Sequence, residues 1–157
     1  MMFATKESSV LETVRELGFE PMEGKCIIVK PTGKSSDWQG KLAEFISAEY
    51  FALQLCENEL VFVPFNPSSL KLEALAGLII LKSAIRAVHI REDGLNNILV
   101  ISTETEQYTF SIQKKTLSSF RSSGLLSSEY NNWGSIDKYW HVENLDRTLA
   151  DLQRLPA

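Results

Sequence analysis

The chain is short of the residues that metal, redox and nucleophilic chemistry require. Its 157 residues include two cysteines and two histidines. Cys26 and Cys56 form no CxxC pair, and such sparse usage fits reduced intracellular thiols rather than a disulfide framework. A Cys-His nucleophile pair would need Cys56 beside His89 or His141 with a polar orienter, and the spacing offers none. Cys56 reads better as a small, partly buried side chain and His89 as a residue on a strand face. His141-Val142-Glu143 is too sparse for a metal site. There is no phosphate-cradling glycine loop and no GxSxG. No catalytic, cofactor-binding or metal-binding residue is therefore assigned, and the chain is expected not to be an enzyme and to need no cofactor.

Clustered positive charge is also missing. Lys and Arg total 16 against 20 Asp and Glu, a net charge of −4. Phosphate neutralisation depends on grouped Lys and Arg, so nucleic acid is excluded as an expected partner and membrane lipid is disfavoured. Long apolar runs are absent too. The longest uncharged one, Leu75–Leu81, falls far below the roughly 18 residues that span a bilayer. The start, Met1 to Glu7, has neither a basic segment nor an apolar signal segment. A cytoplasmic location is expected.

What the chain does have is strand patterning. Phe51, Leu53 and Leu55 alternate with Ala52, Gln54 and Cys56. Leu60–Phe65, Leu78–Leu81, Ile85–Glu92, Asn97–Thr103 and Gln107–Gln113 follow as further strands, with Asp93-Gly94 a strong turn signal. In the last strand Tyr108, Phe110 and Ile112 should face inward, and Thr109, Ser111 and Gln113 outward. A helix is expected near the start. Ser9 and Glu12 have capping-box spacing, Val10, Leu11, Val14 and Leu17 share a face, and Gly18 is a plausible stop. Cys26–Val29 is a short β-prone run ended by Pro31. The stretch Pro31–Gln39 has loop chemistry, which marks residues 1–40 as a helix-strand extension expected to dock on the rest. Lys41–Ala48 is ambiguous between helix and strand. Residues 114–141 form an aromatic insert, and a closing helix over 144–155 presents Leu145, Leu149 and Leu152 on one face, with Asn144 as a possible N-cap.

Two segments resemble the bacterial pleckstrin-homology-like family, a relative of GRAM domains. One is Leu55-Cys56-Glu57-Asn58-Glu59-Leu60-Val61-Phe62, in the place of a strand-turn-strand motif. The other is Ile80-Leu81-Lys82-Ser83-Ala84-Ile85-Arg86-Ala87-Val88. The hairpin Ile98–Ile112 and the closing helix complete a pattern spanning about residues 48–155. Cys56, Glu59 and Leu81 stand where the family often has threonine, a basic residue and proline. The resemblance implies an α+β, mainly antiparallel β fold, a barrel or curled sheet capped by a C-terminal helix. The domain would be residues 41–157, with Cys26–Lys30 able to supply a seventh strand.

The resemblance also implies a binding function, of which lipid reading is one form. Phosphoinositide readers of this kind use basic residues at the first strand turn, which here is Glu57-Asn58-Glu59. Residues 49–113 carry four basic and eight acidic side chains, a local charge of −4 that repels phosphate. The expected function is a non-catalytic binding or assembly module for a protein or peptide, a second copy of the chain included, using a sheet edge or the groove beside the helix. Lipid or membrane-surface binding is the alternative, and an enzyme of unrecognised class the third reading. The candidate partner surface is Lys114, Lys115 and Arg121 with Trp133, Tyr139 and Trp140. Each group has a plainer reading: a solvated strand exit for the cations, and core packing for the aromatics.

Overall fold

The computed structural model describes residues 6–32, 50–66, 71–113 and 140–155. Lys41–Ala48 and most of the aromatic insert lie outside them. The elements are α1 (Glu7–Glu16), β1 (Pro21–Pro31), β2 (Phe51–Cys56), β3 (Glu59–Pro64), β4 (Leu78–Leu81), β5 (Ala87–Asp93), β6 (Asn96–Ser102), β7 (Gln107–Gln113) and α2 (Trp140–Gln153), with a 3-10 turn at Lys82–Ala84. All seven strands form one antiparallel sheet in the order β4-β3-β2-β1-β7-β6-β5. Of the two forms expected, barrel or curled sheet, the barrel is corrected: the sheet does not close, which is consistent with the curled form. Among the described residues β4 pairs with β3 and β5 with β6, and no ladder joins β4 to β5 across the 3-10 turn Lys82–Ala84.

β1 joins the two halves. Its Cys26–Val29 segment pairs with β2, and its end pairs with β7 through Lys30↔Ser111 and Pro31↔Phe110. It begins at Pro21, earlier than its apolar run suggests, because a bulge separates the pairs Pro21↔Cys56 and Cys26↔Gln54. Gly24 turns there with φ +79°, a left-handed conformation that suits glycine. Buried Gln54 secures the bulge: its Nε2 donates to Met22 O at 2.8 Å and Leu55 O at 2.7 Å. Its Nε2 protons are thus used by backbone carbonyls, whereas its Oε1 is buried without a hydrogen-bond partner among the described residues.

The core has two layers. Ile27, Phe51, Leu53, Leu60, Phe62, Phe110 and Ile112 lie on the concave side with Leu145 and Leu152 of α2, while Leu149 packs there half-buried. Phe62 and Phe110 stack at 4.8 Å between centroids, linking the halves. On the other face Cys26, Ile28, Ala52, Val61 and Val63 lie with Val10 and Val14 of α1 and with Trp140.

The helix ends follow local and tertiary chemistry to different degrees. Gly18, at φ +100°, ends α1 as expected. The amide of Gly18 donates to Arg15 O and that of Phe19 to Val14 O, the Schellman pattern, and Val14 and Phe19 join one apolar layer. The capping box is corrected. Lys6 is the N-cap and no side chain caps the helix, because α1 starts before Ser9. Glu7 instead accepts the Gly24 amide at 2.9 Å, tying α1 to the bulge. Asn144 is not an N-cap either: it sits inside α2 and is buried.

Candidate functional site

α2 repairs a split in the sheet. After Lys30↔Ser111, the next hydrogen-bonded pairing of β1 with β7 would join Ile28 to Gln113. Buried His141 stands between them. Its Nδ1 accepts the Ile28 N–H at 2.9 Å, and its Nε2 lies 3.3 Å from Gln113 O. The first contact requires the proton on Nε2, which then donates to Gln113. One helical turn on, Asn144 Nδ2 donates to Cys26 O at 3.1 Å, and Lys25 pairs with Asp151 at 2.7 Å. Burial pulls the His141 pKa down to about 4 against the hydrogen bond to Gln113, which raises it. His141 is a structural bridge that sequence reading missed, since nothing local places it against β1.

The cysteines are equally committed. Both are free and buried. Burial first, then nearby Glu7 and Cys56, pushes the Cys26 thiol well above its ordinary value. Burial, and after it Glu59, pushes Cys56 up to about 12. Neither is a thiolate at neutral pH, so neither is an activated nucleophile. No group of three His, Cys, Asp or Glu side chains among the described residues could hold a metal ion. No described helix is long and apolar enough to cross a membrane.

The sheet edges offer a different chemistry. β5 is guarded by exposed His89, Arg91, Glu92 and Asp93, the kind of charged edge that resists strand pairing. β4 reads Leu-Ile-Ile-Leu and carries no charge, proline or bulge. The Lys82 amide donates to Asn58 O at 2.9 Å, which fixes the phase of the β3–β4 ladder. Ile80 then turns its backbone groups to Leu60, and Ile79 and Leu81 turn theirs away from β3. The side chain of Ile80 is buried, whereas Ile79 is 42% and Leu81 52% exposed.

Beside this edge lies an open cleft of about 330 Å³, lined by β4, Ala84, Arg86, the Thr103–Thr105 turn and Tyr108. Its far wall is built locally. Thr103 Oγ1 accepts the Glu106 amide at 3.1 Å, and the Thr103 amide donates to Glu106 O at 2.9 Å. Arg86 pairs with Glu104 at 2.9 Å on the rim. Burial, then Glu106, pushes the Tyr108 phenol up, keeping it protonated. Among the described residues, the cleft thus presents an unpaired strand edge, aliphatic side chains and one neutralised ion pair.

Of the residues singled out from sequence, Lys114, Lys115, Arg121, Trp133 and Tyr139 lie outside the described residues. Trp140 is 6% exposed and packs in the layer with α1. Compared with known families and with curated proteins, the chain matches no family model and no curated protein.

Proposed function

We propose that this chain is a non-catalytic, cytoplasmic assembly module of pleckstrin-homology-like fold that binds a protein or peptide by strand addition. Among the described residues, seven antiparallel strands and a helix after them support the fold assignment. The observation that carries the function is the unguarded β4 edge, with Ile79 and Leu81 exposed beside a cleft while the opposite edge is charged. Main-chain pairing would supply affinity and the two aliphatic side chains selectivity.

Selection of extended peptides from a displayed library tests this. Binders are expected to be rich in alternating aliphatic residues and to be lost on Leu81→Lys. Binders indifferent to Leu81→Lys would refute the edge as the site. Salt-sensitive binding to phosphoinositide vesicles, with no peptide recovered, would replace this reading with the lipid one.

A further inference from the structure

The β4 edge is complementary to itself, and this inference rests on the edge-binding reading above. Pairing two copies of β4 antiparallel about a two-fold axis through Ile80 sets Ile79 of one copy opposite Leu81 of the other, twice. These are the residues whose backbone groups point away from β3. Each Ile79–Leu81 pair therefore exchanges both of its hydrogen bonds, and the two Ile80 residues meet as the non-bonded pair between them.

The same register matches side chains on both faces. On the outer face the cross-sheet row runs Val61, Ile79, then Leu81 of the second copy. On the inner face it runs Leu60, Ile80, then Ile80 and Leu60 of the second copy. Both rows are aliphatic at the junction, and β4 itself carries no charge to oppose a charge. A shift of one residue would set Ile79 opposite Ile80 and satisfy neither face. An isologous contact of this kind closes on itself as a dimer.

We propose that the occupant of the β4 edge is the β4 strand of a second copy, giving a two-fold dimer with a continuous sheet. The contact is short, so the association belongs to the weak, concentration-dependent class.

Light scattering across a dilution series tests it, with hydrogen exchange measured at the same concentrations. The mass should rise toward twice 17.7 kDa with concentration. The amides of Ile79 and Leu81 should gain protection in parallel. Leu81→Lys, at a half-exposed position, should keep the monomer's circular dichroism and abolish both effects. A wild-type protein still monomeric at roughly 0.5 mM would overturn self-pairing. If it nonetheless bound selected peptides through Leu81, the edge-binding reading would stand alone. A dimer without protection at Ile79 and Leu81, or one unaffected by Leu81→Lys, would overturn the β4 contact.

Discussion

The two halves of the sheet handle their outer faces differently. In β1, β2 and β3 both faces are covered. Cys26 to Val29, Phe51 to Cys56 and Leu60 to Pro64 are buried throughout. In β5, β6 and β7 the inner face is covered, and on the outer face Ile98 of β6 is the one buried side chain among the described residues. Phe110 and Ile112 are buried while Thr109, Ser111 and Gln113 remain partly exposed. The cause is the second layer made by α1 and Trp140, which stops at the first half. A strand covered on one face alternates, whereas a strand covered on both reads as a continuous apolar run.

Inserting a charge at matched outer positions should break this comparison most sharply. Val63 is fully buried on the outer face, and Thr109 lies on the outer face of the other half. Val63→Lys buries an unpaired ammonium and should cost about 4–5 kcal/mol, enough to unfold a marginal domain. Thr109→Lys should stay within about 0.5 kcal/mol. Equal shifts in urea melts would show that the outer faces are not different.

The concave core belongs to both halves, so truncations there should not discriminate between them. Leu145→Ala and Leu152→Ala should each cost about 2–5 kcal/mol, because both side chains are buried. Leu149, half-buried, should lose less than about 2 kcal/mol. Urea melts with all three near zero would mean that α2 does not fill the core.

Local chemistry was legible. Gly18, the Asp93-Gly94 turn and the Tyr108–Gln113 alternation each depend on neighbours in sequence, and each has its expected form. The β5–β6 hairpin closes over Gly94 and Leu95, with Gly94 at φ +60°. Features set by distant partners were not legible. The early start of β1 depends on Gln54 reaching back from β2. His141 and Asn144 acquire their roles only when α2 lies against β1. Leu78–Leu81 was readable as a strand, but its edge position is a property of topology.

The junction between the halves should be sensitive to acid. His141 has a folded pKa of about 4, below the ordinary 6.5, so the fold favours the neutral imidazole. Its contribution is full above pH 6.5. It falls as the unfolded chain takes up the proton first, and is exhausted near pH 4. The integrated loss is on the order of 3 kcal/mol. Urea melts from pH 7 to 4 should show this decline, and His141→Gln should lower stability at pH 7 while flattening the slope. An unchanged slope in the variant would mean that other groups carry the acid sensitivity.

The smallest effect concerns how firmly α1 is held over the first half. Gly18 adopts φ +100°, and no described atom lies within 4 Å of where a Cβ would sit. Gly18→Ala would therefore be strained by backbone conformation alone, at a cost of about 1 kcal/mol. The strain falls on the turn that sends Phe19 back against Val14, so it should loosen α1 without touching the concave core. Exchange of the Val10 and Val14 amides should accelerate several-fold while those of Leu99 and Phe110 change only as the global stability does. Uniform acceleration across both sets would show that α1 and the sheet open as one unit, and that the two-layered half has no separate stability of its own.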